Sequence, residues 1–273
     1  MAVLARSSTP GEGPGQPAWE EAAPRFTVLG PVEIMDGRGG RQPITTQFRT
    51  VLAVLVLRAN RAVPTASLVE ELWADDPPPR AVTTVQTYIC QLRKLLHPGT
   101  LGRPGWTVLT RPAGYLLRVP PGAIDLHRFE DLSMQGRRLA EGGDLEAAST
   151  VLSRALRLWR GPALANVEPG PMLRGHVARI EAARMRALEL RIEADLRLGR
   201  HRELIGELKG LTLTHPLHEW FFERLMLALS RSGRRCEALE VYRRIDWVLH
   251  DELGSEPSAD LQHLRRRLLR LGS

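Results

Sequence analysis

Between residues 80 and 96 the sequence places short polar and basic side chains at a helical spacing. At 100° per residue, these side chains share one side of a helix, and apolar side chains occupy the other side. The apolar side consists of Val85, Ile89, Leu92 and Leu96. The polar side consists of Arg80, Thr84, Thr87, Gln91 and Lys94. This polar side contains no acid, so it suits a DNA major groove, where Gln reads adenine, Thr touches a base edge or methyl group, and Lys or Arg binds phosphate.

The charge around this helix favours a polyanionic partner over a face that is merely solvated. Six basic residues and no Asp or Glu occur from residue 80 to residue 118, whereas solvated helix faces usually mix both signs. The net charge of the chain is +7, and residues 25–120 contribute most of it, with twelve basic against six acidic side chains.

Two β-prone runs follow the helix. Residues 106–110 and 115–119 flank Arg111-Pro-Ala-Gly114, a combination typical of a tight turn, so the sequence predicts a hairpin. A polar-faced helix followed by a basic hairpin outlines a winged helix-turn-helix domain.

A small sheet and two further helices are predicted to position these elements. Residues 26–34 have the composition of a strand, and residues 41–44 of a short return strand. A first helix begins at Thr45 or Thr46, and a second begins near Thr65.

The second helix runs into Asp75-Asp76, which three consecutive prolines follow. Prolines do not continue a helix and hold the loop extended. This acidic loop is either a simple connector or a surface that faces another protein beside the DNA.

From residue 124 onwards the pattern is helical almost throughout, which places a domain boundary at 119–124. The segments 197–204 and 231–238 align with a spacing of 34 residues, the period of a tetratricopeptide-type helix pair. Residues 141–148 are a diverged third copy, separated from the others by an insertion that contains residues 158–167. The sequence therefore predicts a leader at 1–24 that is disordered, a DNA-binding domain at 25–120 and a helical-repeat domain at 121–273.

Nothing in the sequence indicates catalysis, a cofactor or a metal site. There is no nucleophile elbow, no cysteine pair at zinc spacing and no His-Glu-x-x-His motif. We expect Cys90 and Cys236 to be free thiols in a reducing cytoplasm. The sequence contains no apolar run of 18 residues, so we expect no membrane span.

Specific stretches resemble two known domains. Residues 88–96 and 109–115 resemble the reader helix and wing of the OmpR-type winged helix. Residues 159–164, 233–242 and 251–258 resemble the bacterial transcriptional activator domain. In this order the two domains resemble a small member of the Streptomyces antibiotic regulatory protein family, over about residues 25–270. The expected fold is an α+β winged helix-turn-helix domain followed by an all-α tetratricopeptide-like helical repeat domain.

The resemblance implies a pathway-specific activator of secondary-metabolite (antibiotic) genes, cytoplasmic and associated with the nucleoid. It implies that two or more copies bind side by side on direct repeats in promoter DNA and recruit RNA polymerase holoenzyme, including σ. We expect the polymerase contact to include Asp75 and Asp76 of the acidic loop. The implied DNA-binding residues are Arg80, Thr83, Thr84, Thr87, Tyr88, Gln91, Arg93, Lys94 and Arg111.

Two departures from the family pattern concern the DNA contacts. Cys90 and Gln91 stand where OmpR-type readers often carry Arg, and Leu109 replaces a polar wing residue. The operator sequence therefore does not carry over from relatives. Two other functions fit the same residues: a helical-repeat adaptor that binds protein without reading DNA sequence, and a repressor with the same DNA fold.

Overall fold

The structure, a computed structural model, describes residues 26–35, 40–97 and 106–270. The predicted leader at 1–24 lies outside these residues, as does Arg103, one of the six basic residues between positions 80 and 118. The chain divides into two compact units. The first holds the residues up to Glu130 together with Leu158–Glu181, and the second holds Asp131–Arg157 and Ala182–Ser273.

Three helices form the centre of the first unit: α1 (Thr46–Leu57), α2 (Thr65–Trp73) and α3 (Ala81–Leu95). The predicted starts of the first two helices are confirmed. Helix α1 packs against both other helices, and a continuous run of its side chains is buried because neighbours cover it on several sides. This arrangement leaves one side of α3 uncovered.

A three-stranded antiparallel sheet lies beside the helices, in the order β3 (Val63–Pro64), β5 (Gly114–Arg118), β4 (Thr107–Arg111). The predicted hairpin is confirmed as β4 and β5, with Thr110 opposite Tyr115. Strand β3 was not predicted, because two residues carry no periodic pattern. Its pairing requires a glycine at position 114, where a Cβ atom would lie 2.0 Å from the carbonyl oxygen of Val63.

The predicted single strand at 26–34 is wrong. The segment reverses and pairs with itself, as β1 (Phe26–Thr27) against β2 (Glu33–Ile34). The reversal occurs at Gly30-Pro31, where Gly30 has a φ of +142°, a conformation that side chains disfavour. The predicted return strand at 41–44 pairs at its start alone: an antiparallel bridge joins Met35 and Arg41, and the Gln42 N–H donates to the Ile34 carbonyl oxygen at 3.1 Å, but residues 42–44 form no strand.

The segment 158–167, predicted to be an insertion among the helical repeats, packs in the first unit against the β1–β2 hairpin. The backbone N–H groups of Arg160 and Leu164 donate to the carbonyl oxygens of Leu29 and Val28 at 2.8 and 3.0 Å. The rings of Phe129 and Trp159 meet edge to face at 5.4 Å. These long-range contacts make the segment part of the first unit's core.

A buried carboxylate holds the hairpin at the start of α4 (Asp125–Glu141). Asp125 accepts hydrogen bonds from the backbone N–H groups of Val28 and Leu29, at 2.9 and 3.2 Å. The Arg160 guanidinium lies 3.6 Å from the same carboxylate. Burial raises the pKa of Asp125 to about 6, although the two N–H donors and Arg160 favour the ionised form.

A second buried carboxylate, Glu71 of α2, caps the N-terminus of α6 (Pro171–Arg197). It accepts hydrogen bonds from the N–H groups of Met172 at 2.8 Å and Leu173 at 3.3 Å. An acceptor here satisfies N–H groups that have no partner within the helix and complements the positive end of the helix dipole. The backbone passes so close that a Cβ atom at Gly170 would lie 2.6 Å from the Glu71 carbonyl oxygen.

The second unit is helical over its described residues. Its elements are the later part of α4, α5 (Leu145–Leu156), the later part of α6, α7 (His201–Thr214), α8 (Glu219–Arg231), α9 (Arg235–Leu253) and α10 (Ala259–Arg270). Gly143, Gly199 and Gly233 have φ values of +85°, +80° and +78° and stand between successive helices. Each of the three repeat copies thus has a glycine at the tight passage between two helices, in a conformation that side chains disfavour.

The core of the second unit is formed by the repeat helices and by α10. Phe221, Phe222 and Met226 are each no more than 1% exposed. The last helix contributes Leu261, Leu264 and Leu268, which are buried in the same cluster. At one edge, the buried Arg191 and Asp195 pair with each other and with neighbouring side chains of α5 and α7.

We expect Glu71→Ala to lower the free energy of unfolding of the first unit by about 1–3 kcal/mol. The substitution removes the buried acceptor of the N–H groups at the N-terminus of α6. Glu70→Ala is the matched control, since Glu70 is an exposed neighbour on α2. Urea titration of the full chain, followed by circular dichroism, measures both. Equal effects of the two substitutions would contradict the capping role of Glu71.

Candidate nucleic-acid interface

The apolar side of α3 fixes which of its side chains face outward. Val85, Ile89 and Leu92 are no more than 1% exposed, and Leu96 is 2% exposed, so the predicted stripe is confirmed. The opposite side is exposed at Arg80, Thr83, Thr87, Cys90, Gln91 and Lys94. The structure therefore places most of the predicted DNA-binding residues together on one uncovered surface, here called the α3 face.

Two side chains of the α3 face are available to bind a group outside the protein. Within the described part of the chain, the side chains of Gln91 and Lys94 make no hydrogen bond and no ion pair. The free amide of Gln91 can donate to and accept from a base edge, and the free ammonium of Lys94 can bind a phosphate with its full charge.

Two of the three threonines of α3 differ from this. The hydroxyls of Thr84 and Thr87 donate to the carbonyl oxygens of Arg80 and Thr83 at 3.1 and 3.0 Å. Because their protons are used inside the helix, these oxygens can only accept from an outside group. An exocyclic amino group of adenine or cytosine fits the oxygen, and a thymine methyl group fits the threonine methyl.

Tyr88 is half-buried and lies between α1 and α3. Its hydroxyl donates to Gln47 Oε1 at 2.7 Å, and its ring lies 6.0 Å from that of Phe48. Burial raises the pKa of Tyr88, which keeps the hydroxyl protonated as a donor. Tyr88 thus helps to join the two helices. Gln47 was not predicted, because no spacing or motif marks it, and its exposed amide joins the site through this hydrogen bond.

Arg93 points at the hairpin. Its Nε atom donates to the Val108 carbonyl oxygen at 2.9 Å, and its Nη2 atom donates to Thr110 Oγ1 at 2.7 Å. The guanidinium therefore ties α3 to β4 and fixes the position of the wing relative to the reader helix. A role in holding phosphate stays a prediction for this residue.

Arg111 and the acidic loop are both exposed. Arg111 is the last residue of β4 and stands at the turn of the hairpin. Asp75 and Asp76 follow α2 after Ala74, which has a φ of +48°, and the N–H of Asp76 donates to the Trp73 carbonyl oxygen at 3.0 Å. The loop thus leaves the helix through a defined turn with both carboxylates facing outward.

Within the described ranges, no three His, Cys, Asp or Glu side chains gather into a group that could hold a metal ion. Among the same residues, no helix combines the length and the apolar character that crossing a membrane demands.

Three helices, a β-hairpin wing and an exposed polar reader face define a winged helix-turn-helix DNA-binding protein. Comparison with protein families agrees with this class. Residues 40–117 match the family described as transcriptional regulatory protein, C terminal, and residues 124–269 match the bacterial transcriptional activator domain.

Individual relatives match this chain along most of its length. The chain is 43% identical over 254 residues to the regulatory protein DnrI of Streptomyces peucetius, covering 90% of this chain and 92% of DnrI. It is 38% identical to the transcriptional regulator RedD of Streptomyces coelicolor, covering 89% of this chain and 70% of RedD. The chain belongs to the Streptomyces antibiotic regulatory protein family, as the resemblance implied.

Longer proteins contain the same region. The regulatory protein AfsR of Streptomyces coelicolor is 43% identical over 261 residues, and the chain spans 25% of its length. A solved structure of EmbR from Mycobacterium tuberculosis, in complex with a low-affinity phosphopeptide, superimposes with a TM-score of 0.82 at 35% identity. That match covers 90% of this chain and 65% of the EmbR chain. The expected fold class is confirmed, and the chain is a DNA-binding regulator of transcription.

The neighbours Arg93 and Lys94 should give different results when each is replaced by Ala. Lys94→Ala should weaken binding to all duplexes and flatten the salt dependence by about one phosphate contact, with thermal stability unchanged. Arg93→Ala should also lower the melting temperature, because it removes the two hydrogen bonds to β4. Fluorescence anisotropy across a salt series and thermal melting check both, and an unchanged salt slope for Lys94→Ala would exclude its phosphate contact.

Cys90 provides a chemical probe of the α3 face. We expect N-ethylmaleimide to modify Cys90 in the free protein and abolish duplex binding, because the adduct would stand in the groove between Gln91 and Lys94. Bound duplex should slow this modification at least tenfold. Cys236, the chain's other exposed thiol, is the internal control. Mass spectrometry of the two cysteine peptides measures both rates, and equal protection of both thiols, or of neither, would contradict the assignment of the interface.

Proposed function

We propose that this chain activates a secondary-metabolite gene cluster by binding direct repeats in its promoters and recruiting RNA polymerase holoenzyme. The observation that carries the proposal is the α3 face: exposed, free of acids and with Gln91 and Lys94 uncommitted. The family's relatives DnrI and RedD, named as a regulatory protein and a transcriptional regulator, support it.

In the proposed complex α3 lies in the major groove. Gln91 pairs with an adenine edge, while Thr84 and Thr87 accept from amino groups or contact thymine methyls. Lys94 and Arg80 neutralise phosphates beside the groove, and Arg111 enters the adjacent minor groove at the tip of the wing. Arg93 supports this geometry by setting the distance between helix and wing.

Direct repeats determine how several copies assemble. Repeats in the same orientation place successive reader helices on the same face of the duplex when their spacing matches about one helical turn. Two or more copies would then bind side by side and present the same surfaces in the same direction. This common orientation supports activation, because the acidic loop of every copy faces the same direction along the promoter, towards a bound polymerase.

The polymerase contact falls on Asp75 and Asp76 in this proposal. Both carboxylates are exposed and, within the described part of the chain, carry no ion pair. A basic surface of σ is the partner that such a loop suits. A weak contact is sufficient, because DNA that holds both proteins raises their effective concentration.

The first experiment is a salt titration of binding to promoter fragments of the neighbouring genes, with a scrambled duplex as the control. Preference for one fragment, together with log affinity that falls linearly in log salt, is the expected result. A footprint over two in-line repeats should accompany it. Equal and weak binding to every duplex would reject sequence reading and leave a helical-repeat adaptor as the better description.

Replacing Gln91 by Ala should cost about 1–3 kcal/mol of binding free energy on the preferred fragment, the value of a bidentate base contact. Binding to scrambled duplex should not change. Gln86→Ala is the matched control, because Gln86 is exposed on the same helix and outside the predicted reading set. If both substitutions cost the same, Gln91 makes no base contact.

An Asp75→Ala, Asp76→Ala double variant should bind the promoter normally and activate transcription at least several-fold less in a reconstituted assay. The matched control replaces Asp251 and Glu252, an exposed acidic pair on α9. Parallel loss of promoter binding and transcription would remove the loop from the polymerase contact. Increased transcription in the absence of the wild-type protein would instead identify a repressor.

A further inference from the structure

An open groove of about 770 Å³ runs between α9 and α10 in the second unit. Both helices line it: Arg243, Trp247 and His250 from α9, and Arg265, Arg266 and Leu269 from α10. Neither the DNA-reading surface nor the acidic loop includes any of these residues.

The groove exposes large apolar side chains. Trp247 is 67% exposed and Leu269 is 46% exposed, although Tyr242, Ile245 and Leu249 of α9 and Leu261, Leu264 and Leu268 of α10 are buried in the core. Single exposed apolar residues are common on proteins, but an exposed Trp that lines a groove is a frequent anchor of protein interfaces. The groove therefore has an apolar site into which a bulky side chain can insert.

Arginines without carboxylate partners surround this apolar site. Within the described part of the chain, Arg243 makes no ion pair, and Arg266 contacts only the ring of His263, at 3.2 Å. Arg265 lies 4.8 Å from the centre of the Tyr242 ring, a contact that orients the guanidinium and leaves its charge uncompensated. Elsewhere in the same unit, Arg191 and Arg234 are both paired with carboxylates.

We propose that the α9–α10 groove binds an acidic protein segment that carries a bulky apolar side chain. The apolar side chain packs on Trp247 and Leu269. Carboxylates on either side of it meet Arg243 and Arg266, whose guanidinium groups bind carboxylate in a planar, two-hydrogen-bond arrangement. The segment supplies the negative charge that balances Arg243 and Arg266, which form no ion pair with the described residues.

Two carboxylates in the same groove argue against duplex DNA as the occupant. Asp246 and Glu256 line the groove together with the arginines. A DNA backbone carries a phosphate at every nucleotide and would bring one against these carboxylates. A peptide places its charges residue by residue, so neutral or basic residues can stand opposite Asp246 and Glu256.

The inference goes beyond the proposed function, because it concerns a protein-binding site that needs no DNA. The probe is a fluorescein-labelled 12-residue peptide in which Asp and Glu alternate with Leu and Phe. We expect it to bind the full chain without DNA. Two control peptides, one with Asn and Gln for the acids and one with Ser for the apolar residues, should each bind at least tenfold more weakly.

Substitutions locate the binding to the groove. Trp247→Ala and Arg243→Glu should each weaken binding of the acidic peptide about tenfold or more. Arg244→Glu is the matched control, an exposed arginine next in sequence that does not line the groove, and it should bind within about twofold of the wild type. All three side chains are exposed, and thermal melting should show that the variants stay folded.

Three outcomes would overturn the proposal. The first is failure of the acidic peptide to bind the wild-type chain, and the second is equal loss for Arg243→Glu and Arg244→Glu. The third is a fall in promoter affinity for Arg243→Glu that exceeds the fall for Arg244→Glu, which would identify the groove as a DNA surface. Loss of peptide binding with promoter affinity intact supports the proposal.

Discussion

The rotation of α3 about its own axis is the constraint on which the function depends. Val85, Ile89 and Leu92 are almost completely buried, and burial of each such side chain contributes about 1.5–3 kcal/mol. Turning the helix by a single residue would bring these side chains into water and carry polar ones into the core. The outward position of Gln91 and Lys94 therefore follows from the apolar positions, and the reading surface is as stable as the core beneath it.

Spacing along a helix predicts exposure well and predicts partners poorly. The sequence pattern was enough to place the stripe, the exposed reader face and the hairpin. It grouped Arg93 and Tyr88 with the DNA contacts, whereas the structure gives both of them partners within the protein. A long side chain binds the nearest suitable acceptor. For Arg93 that acceptor is the Val108 carbonyl oxygen of β4, fifteen residues later in the sequence. Helical spacing cannot predict a contact with a strand so far along the chain.

The N-terminal hairpin and the segment 158–181 show the same limit at the level of the backbone. Residues 26–34 have the composition of one strand, yet Gly30 and Pro31 reverse the chain, and the reversed hairpin receives hydrogen bonds from residues 160–165. Two buried carboxylates, Asp125 and Glu71, complete the first unit by accepting from main-chain N–H groups about one hundred residues away in sequence. Local patterns locate the helices of this region, but the pairing of a carboxylate with a distant N–H group depends on the assembled core.

Because arginine is abundant throughout this chain, the number of basic residues is a weak guide to where anions bind. The two lysines show that the presence or absence of a carboxylate partner is a better guide. Of 38 basic residues only Lys94 and Lys209 are lysines. Lys209 lies 3.1 Å from Glu237, whose pKa falls to about 2 because Arg234 and then Lys209 donate hydrogen bonds to it. Lys94 has no carboxylate within reach in the described part of the chain. A cation already neutralised within the fold has little charge to offer a ligand, whereas an uncompensated one attracts an anion. The same criterion separates Lys94 on the α3 face, and Arg243 and Arg266 in the α9–α10 groove, from paired arginines such as Arg191 and Arg234.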